Sequence, residues 1–156
     1  MPLWGWTSLH RDFRKMLCAL SDANVEFLVV GNWALATHGF PRAAGDIDLW
    51  VGPEAENIAR VIRALATFRG TALGVSETDF ATPGKMLQLG VAPNRIDILT
   101  EIDGVAFDEA WNTRVSLPLN GFTLFVIARD LLLRNKRATG RTQDAADAER
   151  LEGASG

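Results

Sequence analysis

Apolar positions along the chain switch between two periods. Phe13, Met16, Leu17 and Leu20 recur at helical spacing and predict a first helix ending near Leu20, with Ser8 placed to cap it. Phe27–Val30 is a short, bounded apolar run that reads as a buried strand, and residues 33–38 have the composition of a short helix leaving it directly. Ile47, Leu49 and Val51 then alternate with Asp46, Asp48 and Trp50, which predicts a strand with one apolar face and one face carrying two carboxylates. Pro53, Glu54 and Glu56 begin a helix whose apolar stripe is Ile58, Val61, Ile62, Leu65 and Ala66. Residues 73–84 read as polar loop, with Ser76 capping a single turn over Asp79. Residues 85–91 and 95–99 follow as two strands joined by a turn at Ala92, Pro93 and Asn94, an antiparallel pair. A short helix over 107–111 precedes two more strands, 115–119 and 122–127, around Asn120-Gly121, a strong hairpin signal. A helix over 128–139 stops at Gly140, Thr142 caps a last one, and the tail from Gly153 is expected to be disordered. This order predicts one α+β domain over residues 1–152, a mixed β-sheet flanked by helices.

Composition narrows the function classes. With 156 residues, 47% hydrophobic and 22% charged, the chain is long enough to bury a core. A net charge of −3 gives no support to bulk nucleic-acid binding, which favours basic chains. The single Cys18 excludes an internal disulfide and reads as a small buried hydrophobe, and two histidines, His10 and His38, give no zinc-ligand spacing. A cytoplasmic location is expected. The charges near the N-terminus follow its apolar residues, unlike a signal peptide, and no apolar run approaches the ~18 residues that span a bilayer.

The candidate chemistry lies between Phe27 and Gly52. Gly31-Asn32 falls at a strand-to-helix turn, where backbone N–H groups and the helix dipole favour a phosphate and glycine permits close approach. Asp46 and Asp48 point the same way, and burying them unpaired costs several kcal/mol, roughly, per ion. A divalent cation between them removes that cost, and hard oxygen donors suit magnesium. The competing reading is an exposed edge strand with a solvated acidic face. Arg42, in a Pro-containing loop before Asp46, either grips a triphosphate bidentately or pairs with nearby acids at the surface. His38-Gly39 reads as a helix end rather than a substrate contact. Gly84-Lys85 resembles a phosphate loop but has neither the upstream glycine nor the following Ser or Thr. Glu101 and Asp103 have no spacing that adds to the site. Arg134, Lys136, Arg137 and Arg141 cluster at a helix C-terminus, where the dipole favours cations whatever the function.

Gly31-Asn32, thirteen residues, then Asp46-Ile47-Asp48 resembles the hG[GS]…Dh[DE]h signature of the DNA polymerase β-like nucleotidyltransferase superfamily. Ala34, His38-Gly39, Arg42 and the run DIDLWV are similar, more narrowly, to the minimal bacterial AbiEii toxin-like group. So is the KR..GR..D..D ending formed by Lys136-Arg137, Gly140-Arg141, Asp144 and Asp147. The likeness runs from Phe27 to Leu151 and departs at Asn32, where the family has a second small residue. The resemblance implies a third carboxylate, Asp97, on a neighbouring strand. It implies transfer of a nucleoside monophosphate from a nucleoside triphosphate to an acceptor hydroxyl, with two Mg2+ ions (or Mn2+) about 4 Å apart. In that scheme Asp46 and Asp48 hold both ions and Asp97 holds the one that activates the acceptor. Gly31 and Asn32 hold the β- and γ-phosphates, and Lys136 is near the nucleotide. The acceptor is open among tRNA, protein and a small molecule, with a cognate antitoxin or toxin as partner and no membrane. Two other classes remain: a non-catalytic partner-binding module with the same fold, and a metal-dependent nuclease, which needs no phosphate-cradling glycine turn.

Overall fold

The computed structural model describes residues 9–40, 45–69, 76–81, 84, 86–91, 94–119 and 121–153. Helix α1 (Arg11–Asp22) turns Phe13, Met16, Leu17 and Leu20 inward. Its cap is His10, whose Nδ1 accepts the Asp12 N–H at 3.1 Å; Ser8 lies outside the described residues. Strand β1 (Phe27–Val30) is buried throughout and runs directly into helix α2 (Gly31–Thr37), so the helix begins two residues earlier than composition predicted. Strand β2 (Ile47–Val51) leads to α3 (Ala55–Arg69) and to a single turn, α4 (Glu77–Ala81). That turn is closed by Asp79, whose carboxylate accepts the Ser76 N–H at 2.8 Å. Next come β3 (Met86–Leu89), β4 (Ile96–Leu99) and α5 (Phe107–Asn112). The hairpin β5 (Val115–Leu119) and β6 (Phe122–Val126), then α6 (Arg129–Ala138) and α7 (Thr142–Gly153), complete the chain. Gly153, expected in the tail, ends α7 as part of the helix; Lys85 and residues 154–156 lie outside the described set.

The strands form one six-stranded sheet in the order β3-β4-β2-β1-β6-β5. The β2–β4 and β1–β6 pairs are parallel and the other three antiparallel, which makes the sheet mixed. β2 is therefore an interior strand, and the edge-strand reading of its acids fails. Its alternation also misled at one position: Trp50 was expected on the carboxylate face but is 1% exposed, packed edge-on against Phe107 at 5.1 Å. Helices cover both faces of an interior strand, so apolar residues are buried whichever way they point. On α3 the buried stripe is Ile58, Val61, Ala64, Leu65 and Phe68, while Ile62 is half-buried and Ala66 exposed.

Asn57 sets where β1 and β2 meet. Buried on α3, its Oδ1 accepts the Glu26 N–H at 2.7 Å, and its Nδ2 donates to the Glu26 and Gly52 carbonyls at 3.0 and 2.9 Å. One side chain thus ties the start of β1 to the end of β2, and the register that follows pairs Val30 with Asp48. That pairing sets the first residue of α2 beside the acids. No helix among the described residues is long and apolar enough to cross a membrane.

Candidate active site

Asp48 and Asp97 are register partners on parallel strands β2 and β4, and Asp46 is in the bend one residue before β2. Asp97 is 3% exposed. Burial, the negative charge of Asp97, a hydrogen bond to Asp97 and then the charge of Asp46 push the Asp48 carboxyl up to about 7, with Arg95 pulling the other way. The shift follows from holding this carboxyl out of water beside two other negative charges. Gly31 completes this corner. Its φ is +69°, and a Cβ built on it would lie 2.2 Å from Asp48 Oδ2. The carboxylate occupies the space a side chain would need, so glycine is required here for both conformation and room. The residue preceding the helix is Val30, which offers no side-chain cap to the first turn of α2.

Arg95, just before β4, holds the other two acids. Its Nε and Nη2 donate to Asp97 Oδ1 and Oδ2 at 2.8 and 3.1 Å. Nη2 also reaches Asp46 Oδ2 at 3.1 Å, and the backbone N–H donates to Asp46 Oδ1 at 3.2 Å. Among the described residues no group of three or more acid, histidine or cysteine side chains is arranged to hold a metal ion. The donors nevertheless fit a hard divalent cation in kind: they are carboxylate oxygens from adjacent strands.

The acids open into a cleft of about 700 Å³. Gly31, Asn32, the three aspartates, Lys136, Arg141 and Asp144 all line it. Lys136 is 6% exposed, not on a solvated face; its Nζ pairs with Asp144 Oδ1 at 3.0 Å and Asp147 Oδ2 at 3.3 Å. Burial alone would raise the Asp144 pKa, but hydrogen bonds from Thr139 and Lys136 and the charges of Lys136 and Arg141 outweigh it and hold the group below its ordinary value. Arg134 and Arg137 are exposed and pair with Glu109 and Glu152.

Of the predicted site residues, the structure brings Gly31, Asn32, Asp46, Asp48, Asp97 and Lys136 to one cleft. Arg42 lies outside the described residues. His38 is half-buried at the end of α2, its Nε2 2.7 Å from the Ile127 carbonyl, and burial lowers its pKa, so it ties the helix to the sheet. Arg95, which sequence reasoning did not single out, also lines the cleft, as do Glu101 and Asp103 just beyond β4. A signal for Arg95 existed: two residues before Asp97 on an extended segment, it shares that acid's side.

The mixed sheet of this α+β domain thus brings paired aspartates on its interior strands to the glycine that opens a helix. Among solved structures the chain is similar to a protein of Thermotoga maritima described as a "putative nucleotidyltransferase", with 18% identity, 92% of each chain covered and a TM-score of 0.60. At that identity the likeness concerns the fold. No protein-family model matches the chain, and no curated protein matches its sequence.

Proposed function

We propose that the chain is a metal-dependent nucleotidyltransferase that moves a nucleoside monophosphate from a nucleoside triphosphate to an acceptor hydroxyl and releases pyrophosphate. The observation that carries this reading is the pairing of Asp48 with Asp97 across β2 and β4, next to a glycine whose missing side chain makes room for Asp48. Asp46, Asp48 and Asp97 are the residues to hold magnesium, which when bound supplies the positive charge that the phosphates and the acids need. Gly31 and Asn32 face the β- and γ-phosphates, Asn32 with an amide able to donate. Asp97 orients the acceptor. The buried Lys136 lines the same cleft. Kinship with the AbiEii toxin-like group, and with it a cognate partner and a tRNA, protein or small-molecule acceptor, belongs to the same proposal. One observation favours the second reading, a partner-binding module without catalysis: Arg95 already satisfies Asp46 and Asp97.

Thermal melts across pH test the metal site. The folded Asp48 carboxyl is raised from 3.8 to about 7, so between those values the folded state binds more protons than the unfolded one. Stability of the metal-free protein should therefore fall as pH rises through that window, by on the order of a few kcal/mol, and level off above it. Magnesium with ATP needs the ionised form, so its stabilisation should grow with pH instead. Asp48→Asn should remove both slopes. A wild-type melt that ignores magnesium and ATP at every pH would remove the metal site.

A further inference from the structure

All four carboxylate oxygens of Asp97 and Asp46 are engaged by a single residue. The Arg95 fork takes both oxygens of Asp97, at 2.8 and 3.1 Å, and its Nη2 and backbone N–H take those of Asp46, at 3.1 and 3.2 Å. Asp48, the register partner of Asp97, is the one acid of the three for which no bond to Arg95 is seen. A guanidinium and a hard divalent ion compete for the same oxygen lone pairs, one through directed N–H groups and the other through coordination. The Arg95 side chain is 32% exposed and lines the cleft, so it has somewhere to go. By contrast Lys136, which lines the same cleft, is 7% exposed at its side chain and tied to two acids of α7.

The geometry points to Arg95 as a resident counter-cation that closes the acid cluster in the metal-free protein and must release Asp97 and Asp46 before a divalent ion can take them. This rests on the proposed function for the identity of the ion and adds a gate to it. Metal binding without nucleotide is then weak, because the ion displaces a paired charge rather than filling a vacant one. Arg95 is a positioning residue in this account: it acts on the acids and not on the substrate.

Manganese is the probe, titrated without nucleotide and followed by the electron paramagnetic resonance signal of the free ion. Arg95→Gln should bind Mn2+ at least about tenfold more tightly than wild type, the weight of one charge-assisted pair. Its metal-free form should melt lower than wild type. Arg95→Lys keeps the charge without the fork and should fall between the two, which also covers the case in which the glutamine variant fails to fold. Adding Asp48→Asn to Arg95→Gln should erase the gain and so locate the ion at the acids. Equal or weaker Mn2+ binding by both Arg95 variants would overturn the gate while leaving the metal site standing. No Mn2+ binding by any of the proteins, with or without ATP, would overturn the gate and the metal-dependent function together.

Discussion

Lys136→Met should cost about 3–5 kcal/mol of folding stability, the scale for removing one partner of a buried ion pair. Two aspartates face this lysine from α7, Asp144 at 5% and Asp147 at 0% exposure, and both would stay behind without it. Arg141 Nε and Thr139 Oγ1 still reach Asp144 Oδ2, each at 2.7 Å, and Gln143 Nε2 still donates to Asp147 Oδ1 at 3.1 Å. The sign with pH follows from Asp144, whose folded pKa is depressed: its stabilisation is present above the ordinary carboxylate value and is lost as pH falls through the lowered one. Acid below the ordinary carboxylate value should accordingly narrow the gap between wild type and Lys136→Met. Arg137→Met, at a side chain 51% exposed, should change stability by less than about 0.5 kcal/mol. Urea denaturation at neutral and acid pH measures all of this. A Lys136→Met protein of wild-type stability that has lost ATP affinity would instead make the lysine a phosphate contact.

Gly31→Val should abolish binding of ATP with magnesium, with an affinity loss of at least ~100-fold, the order expected when a site group moves by about 1 Å. Even the Cβ of Gly31→Ala would lie 2.2 Å from Asp48 Oδ2, so the carboxylate must leave its place. The positive φ adds strain of about 1–3 kcal/mol for a side chain that rarely adopts it. Asn32→Ser, by contrast, restores the small second residue of the signature and should preserve or tighten binding. Calorimetric titration distinguishes these outcomes. Full affinity in a folded Gly31→Val protein would move the phosphate site away from α2.

Much of the sheet could be read from the chain because its strands are short and separated by strong local signals. The alternation around Asp48, the turn before Asp97 and the hairpin at Gly121 each fixed a strand without tertiary information. Trp50 escaped that reading because alternation reports one covered face, whereas β2 is covered on both. Lys136 and Asp144 are eight residues apart, across the turn between α6 and α7, and only the packing of those helices shows that they meet. Asp144 and Asp147 do share a helical face by spacing, a signal that two acids await one cation. Glu101 and Asp103 were set aside for lack of spacing to the other acids. Their place in the cleft comes from where β4 ends, which local sequence does not state.

Nucleotidyl transfer itself is the central claim, and label transfer measures it most directly. The protein is incubated with each α-labelled nucleoside triphosphate, magnesium and a cell extract, beside Asp48→Asn and Asp97→Asn. The account predicts label in a discrete acceptor with the wild-type protein and magnesium, and none with either variant. Asp97→Asn should still bind the triphosphate that it fails to transfer. Wild-type protein that binds ATP with magnesium yet labels nothing from any of the four triphosphates, or variants that label as well as wild type, would contradict it.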